Sequence, residues 1–274
     1  MSYQPALSPS RVNDFATCPL QFRLLVVDKI PQAPTLPQKK GTLIHSVLEG
    51  LFNQDAHERT RESAEAALVP AWEAIEANEP DLAEQLFSSA AERDEFLDDA
   101  RRLLSHYFAL EDPTHLAPAG LERYVKATIG DGLHIHGYID RVDIAANGAV
   151  RIVDYKTGKS PRERYLGPYL LQLRMYALAW RESEGVTPAR LQLHFLKDTR
   201  TFTHDPKDAE VDATVDHLVN VWRDIERAAS SGSFRPRKNP LCPWCPFQHL
   251  CPVFGGKTPP IPAAGIDRLL AMHD

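Results

Sequence analysis

Between residues 121 and 157 apolar and polar residues alternate three times over, and this run constrains everything built around it. LERYVKATI (121–129), LHIHGYIDRVDIA (133–145) and AVRIVDYKT (149–157) are rich in β-branched and aromatic residues. A period of two is the mark of strands with one covered face. Asn147-Gly148 between the second and third is a tight-turn dipeptide, since glycine accepts the positive φ such a turn requires. GPYLLQLRMYALAWRES (167–183) then reads as a helix, RLQLHFL (190–196) and TRTFTH (199–204) as two strands, and 208–231 as a long amphipathic helix. Strands interleaved with helices predict an α/β core.

The flanks differ. LSPSRVNDFATCP opens like a capped helix, with Ser8 as N-cap and Pro9 in the first turn, where a missing N–H costs nothing. PQAPTLPQ (31–38) reads as a connector, and KGTLIHSVLEGLF (40–52) carries Leu43, Val47, Leu48 and Leu51 at helical spacing. Two or three further helices are expected over 60–110, punctuated by Pro70, Pro80 and Pro113. A helical insertion therefore precedes the α/β core, and a cysteine-bearing segment follows it.

A net charge of −6 argues against a generally basic nucleic-acid binder, yet the charge is uneven. Residues 55–99 hold fourteen Asp or Glu against three Lys or Arg, whereas 151–181 hold seven Lys or Arg against two acids. A local basic surface can bind phosphates while the rest repels them. No apolar run is long enough to cross a bilayer, and MSYQPALSPSR lacks the profile of a secretion signal. The expectation is a cytoplasmic protein without membrane contact, in which four cysteines form no disulfide framework.

The chemistry concentrates where the third strand ends. Asp154 and Lys156 lie two apart and point to the same side, while the carbonyl of Tyr155 lies between them. GYIDRVD on the preceding strand offers Asp140 and Asp143. Convergence of Asp140 with Asp154 would give a hard oxygen pocket for Mg²⁺ or Mn²⁺, and a nearby lysine could orient a water or stabilise charge on a phosphate. The plainer alternative is a strand-end ion pair. Gln172 and Tyr176, four apart, share a helix face. His45 amid apolar neighbours reads by itself as a packed core histidine, and His134 and His136 as surface or packing residues. Glu122 is either a structural carboxylate or a further ligand. Near the C-terminus, Cys242, Cys245 and Cys251 form three quarters of a metal site.

Taken together, SPSRVNDFATCPLQFR, GTLIHSVLE, GYIDRVD, VDYKTGK and QLRMY resemble, in order and spacing, the PD-(D/E)XK nuclease superfamily. Within it they resemble the RecB-like branch found at the C-terminal end of the AddB and RecB recombination subunits. The blocks span residues 8–176, and the cysteines extend the likeness to 251. The resemblance implies a restriction-endonuclease-like mixed β-sheet flanked by helices, in one domain over 1–260. Its parts would be a helical region at 41–118, a catalytic α/β core at 119–206, and a patch at 235–254 completed by Cys18; 261–274 would be a tail.

The resemblance makes Asp140, Asp154 and Lys156 the catalytic set and His45 a metal ligand. The Tyr155 carbonyl completes the metal shell, Gln172 and Tyr176 support the site, and Glu122 is a weaker match. Cys18 becomes the distant fourth thiolate of a structural [4Fe–4S] cluster with Cys242, Cys245 and Cys251; thiolate chemistry alone also suits zinc. The implied activity is Mg²⁺- or Mn²⁺-dependent hydrolysis of DNA, as an exonuclease or end-processing nuclease in repair or recombination. Single strands or DNA ends would be the substrate, with Arg162, Arg164 and Arg174 on the backbone. The chain has no G-x-x-x-x-G-K-[ST] loop, so any helicase would be a separate chain. The rival readings are a non-catalytic DNA-binding scaffold of the same fold and a zinc-stapled nuclease acting on RNA.

Overall fold

The computed structural model describes residues 6–273; residues 1–5, on which part of the leader reading rests, lie outside the described residues. The helices are α1 (Pro9–Thr17), α2 (Pro19–Phe22), α3 (Leu36–Phe52), α4 (Arg61–Asn78), α5 (Leu82–Leu86), α6 (Ala90–Leu110), α7 (Gly167–Glu184), α8 (Asp208–Ser230) and α9 (Ala263–Leu270). The strands are β1 (Pro118–Ile129), β2 (Leu133–Ile144), β3 (Val150–Lys156), β4 (Arg190–Phe195) and β5 (Arg200–His204). They form one mixed sheet in the order β1-β2-β3-β4-β5. Neighbours are antiparallel except β3 and β4, which are parallel. A parallel pair needs a crossover, and α7 supplies it. Between β2 and β3, Gly148 takes φ +82°, and the Ala145 N–H donates to the Ala149 carbonyl at 2.9 Å.

Helices cover both faces of the sheet. Ile135, Ile139, Val142 and Ile152 pack with Leu173 and Leu178 of α7 and with Leu218 and Trp222 of α8. Val153 and Tyr155 pack on the other side with Leu43 and Val47 of α3, Trp72 of α4 and Tyr107 of α6. The strand that carries Asp154 is thus buried on both sides and held rigidly. A third cluster, Leu20, Leu24 and Phe247, joins the N-terminal helices to the cysteine segment. Among the described residues no helix is long and apolar enough to cross a membrane.

Three local expectations change. The connector ends early, because Thr35 caps α3 and Pro37 occupies its first turn, where proline is tolerated. Pro70 does not punctuate: α4 runs through it. Pro70 lies on the exposed face, so the Ala66 carbonyl it orphans can bond water. Trp72 is fully buried against Phe87 and Phe96 on the other side. Burying such a ring offsets the roughly 3 kcal/mol that an internal proline costs. Arg23–Val27 forms a π-helical turn that periodicity did not foresee.

Candidate active site

The side chains of interest meet where β2 and β3 run between α3 and α7. Asp154 is 1% exposed and Asp140 8%. The Tyr155 N–H donates to Asp140 Oδ2 at 2.6 Å. Lys156 Nζ stands 2.6 Å from Asp154 Oδ2, and Gln172 Nε2 donates to Asp154 Oδ1 at 2.9 Å. The same amide donates to the Tyr176 hydroxyl at 2.7 Å. From α3, His45 Nε2 donates to the Tyr155 carbonyl at 3.1 Å. Its Nδ1 faces Asp140 Oδ1 at 3.5 Å and Glu122 Oε1 at 3.7 Å.

Glu122 reaches the site through a backbone distortion. It has φ +42°, which few non-glycine residues adopt. The ladder pairs Leu121 with Arg141 and Arg123 with Ile139, so Glu122 lies opposite Asp140. Leu121 packs with the α3-side cluster and Glu122 approaches His45, so two consecutive residues point to one side. Irregular strand geometry of this kind re-aims side chains beside functional sites. His45, Glu122 and Asp140 offer ligand atoms all within 4.8 Å of one another.

The electrostatics follow from burial and crowding. Burial raises the Asp154 carboxyl to about 6, with Asp140 adding to the rise and Lys156 opposing it. Burial disfavours charge on His45, but the Asp140 and Glu122 carboxylates outweigh it and raise the imidazole to about 10. Without metal, an imidazolium therefore balances part of the carboxylate charge. Burial likewise disfavours the Lys156 ammonium, and Asp154 more than compensates, so its pKa is raised.

A family model for the PD-(D/E)XK nuclease superfamily matches residues 6–252. The chain belongs to this superfamily. It is a metal-dependent nuclease fold whose chemistry is phosphodiester hydrolysis. The Gene 69 protein of Mycobacterium phage D29 is 24% identical over 270 residues, covering 91% of this chain and 97% of that protein. The Gene 69 protein of Mycobacterium phage L5 is 31% identical over 128 residues, covering 45% of this chain and 41% of its own length. Among solved structures, the crystal structure of SSO0001 aligns with 48% of this chain and 59% of its own, at 19% identity and a TM-score of 0.33.

Within this nuclease, Asp140, Asp154, Lys156, His45, Gln172, Tyr176 and the Tyr155 carbonyl come together, and Glu122 joins them. Asp143 does not: its carboxylate bonds Arg141 at 3.1 Å and Arg151 at 2.7 Å. Arg174 does not either. Two residues on from Gln172, it turns to another side of α7 and faces Glu210 of α8 at 3.6 Å. Arg162 and Arg164 are exposed in the segment after β3, with Arg164 over the Tyr165 ring. His134 is buried and His136 half-buried, away from the ligand set.

Sequence reasoning missed the support behind Tyr155. Arg141, fully buried, makes a two-pronged ion pair with Glu111 and donates to the Tyr155 hydroxyl. Burial would raise the Glu111 carboxyl, but His194 and Arg141 hold it well below the usual carboxylate range. The residue whose N–H and carbonyl meet Asp140 and His45 is thereby pinned at its far end. Gly137 was also missed. A Cβ there would lie 2.4 Å from Tyr176 Cε1, so only glycine lets α7 approach β2 this closely.

The four cysteines are half-buried, unbridged and line one cavity. The Arg237 N–H lies 3.3 Å from Cys18 Sγ, and the Asn239 N–H 3.3 Å from Cys242 Sγ. Burial pushes the Cys245 thiol up, and the neighbouring thiols add to this against the Phe247 N–H.

Proposed function

We propose that this chain is a Mg²⁺- or Mn²⁺-dependent deoxyribonuclease of the RecB/AddB-like branch, acting on single-stranded DNA or DNA ends in repair or recombination. The observation that carries the reading is the convergence of Asp140, Asp154 and Lys156, on the β2–β3 pair, with His45 of α3 and Glu122 of β1. The donor set, carboxylate oxygens with one imidazole and a backbone carbonyl, fits a hard divalent cation. Asp140, Asp154, His45, Glu122 and the Tyr155 carbonyl would hold it. When bound, it supplies Lewis-acid charge on the phosphate and lowers the pKa of a water.

The chain's own groups do the rest. Tyr155 N–H and Gln172 Nε2 fix the two carboxylates, and Tyr176 fixes Gln172. The Lys156 ammonium lies within reach of charge developing on the phosphate and offsets it. The exposed Arg162 and Arg164 engage the backbone that leads to the site. Nothing in the arrangement favours a non-catalytic scaffold, which has no use for so complete a set of ligands.

We infer that Cys18, Cys242, Cys245 and Cys251 hold a structural [4Fe–4S] cluster, because one distant cysteine with a C-x2-C-x5-C group is unlike the two local pairs usual for zinc. Backbone N–H groups face two of the sulfurs, at 3.3 Å each. The cluster would staple α1 and α2 to the C-terminal segment and take no part in hydrolysis.

The test is digestion of end-labelled single-stranded DNA, duplex DNA and RNA of one sequence, with Mg²⁺ or Mn²⁺ supplied. Release of label from DNA by the wild type, and none by Lys156→Ala, is expected. Absence of cleavage, or RNA cut as fast as DNA, would overturn the reading.

A further inference from the structure

Two part-exposed tyrosines lie beside the residues proposed to hold the metal. Tyr138 is 53% exposed and Tyr124 44%. They are direct cross-strand partners on β2 and β1, with ring centroids 5.1 Å apart. Tyr138 lies two residues before Asp140 and Tyr124 two after Glu122, about 6.8 Å along each strand. Both therefore share the sheet face that α3 covers only at its His45 end. Val125, Ile135 and Ile139, which alternate with them, are buried against α7 and α8.

The face continues away from the site as the Lys126–His136 pair, and the His136 ring lies 5.9 Å from Tyr124. Lys126 is exposed. Arg11, on α1, lies near enough to His136 to help hold its imidazole pKa low, after burial. The strip is thus aromatic and basic, and it ends at the carboxylates that would hold the metal. A cross-strand aromatic pair steadies a hairpin, but that role does not require leaving both residues so exposed.

We infer that Tyr124 and Tyr138 form a base-stacking platform that seats unpaired nucleotides of a single-stranded DNA while the adjoining phosphate enters the metal site. The inference rests on the nuclease reading and adds a specificity to it. Duplex bases stack on one another and offer no free face, whereas an unpaired base of any identity can lie on a tyrosine. Lys126 and Arg11 would follow the backbone of the same strand.

Fluorescence anisotropy without divalent metal tests this, using labelled dT12 and a 12-unit abasic oligonucleotide of the same charge. Wild type should bind dT12 more tightly than the abasic strand. Tyr138→Ala should weaken dT12 binding by about 5- to 150-fold, the range of a base–aromatic stack, and leave abasic binding unchanged. Tyr138→Leu, which keeps an apolar side chain against Tyr124, should lose the same preference, and Tyr138→Trp should keep it. Equal binding of both probes by wild type, or unchanged dT12 binding by Tyr138→Ala and Tyr138→Leu, would overturn the platform. Cleavage of single-stranded DNA by these variants with Mn²⁺ separates the two claims. If wild type cuts and the variants cut and bind alike, the platform fails and the nuclease reading stands. If wild type does not cut, the nuclease reading itself fails.

Discussion

Gly137→Ala adds one methyl group at the point where α7 meets β2. The new Cβ would lie 2.4 Å from Tyr176 Cε1 and 3.0 Å from Cδ1, against a comfortable carbon–carbon separation of about 3.5–4.0 Å. The obstacle is a ring rather than the tip of a flexible chain, and Tyr176 is buried. Its hydroxyl is tied to Gln172, which is tied to Asp154. Relief must come from moving the ring or the helix by about 1 Å. Overpacking of this kind costs about 1–3 kcal/mol, which lowers the melting temperature by a few degrees at this chain length. Activity should fall further, by up to about 100-fold, because the displacement reaches Asp154, the carboxylate proposed to act in catalysis. Thermal melting and cleavage rates on one single-stranded substrate would be measured together. Gly137→Ala/Tyr176→Leu should recover the melting temperature but not the rate, since the hydroxyl is gone. A Gly137→Ala protein with wild-type melting and wild-type rate would refute the tight helix–strand contact and the relay built on it.

Two further outcomes are expected. Cys18→Ala and Cys245→Ala should both lose iron and melt early, because the proposed staple closes a loop of most of the chain, an entropic effect of about 5 kcal/mol in the cross-link model; iron analysis and melting of the pair side by side decide it, and a Cys18→Ala protein that keeps its iron removes Cys18 from the site. Asp14 on α1 is raised by burial to about 6 from 3.8, so the folded state binds the extra proton and stability falls as pH rises from about 4 to about 6. Asp14→Asn should therefore be more stable than wild type by about 1–3 kcal/mol at pH 8, with the gain shrinking at pH 5; urea melts at the two pH values would show a constant gain if burial of the charge were not its source.

Much of the fold was legible because its signals are local. Period-two alternation marked β1 to β3, Asn147-Gly148 marked their turn, and Gln172 and Tyr176 fell on one helix face. The order of five sequence blocks singled out His45, Asp140, Asp154, Lys156, Gln172 and Tyr176, which the fold brings together. What escaped depends on contacts between distant segments. Glu111 and Arg141 are thirty residues apart and become one buried pair only after α6 packs on the sheet. Gly137 looks like any strand glycine until Tyr176 is seated above it. Pro70 breaks a helix by propensity alone, yet here a buried tryptophan two residues on holds the helix together. Arg174 belonged to a basic stretch of sequence, and the helix turned it toward α8.

The most direct measurement is Mn²⁺ binding, followed by electron paramagnetic resonance, together with cleavage of a single-stranded oligonucleotide by the wild type and by Asp140→Asn. The substitution keeps the side chain's shape and an oxygen able to accept from the Tyr155 N–H, so folding should survive. Wild type should bind Mn²⁺ and cut, while Asp140→Asn should lose about 100-fold or more in both affinity and rate at an unchanged melting temperature. Wild-type cleavage by Asp140→Asn, or cleavage by the wild type that persists in excess chelator, would contradict a metal-dependent nuclease centred on Asp140.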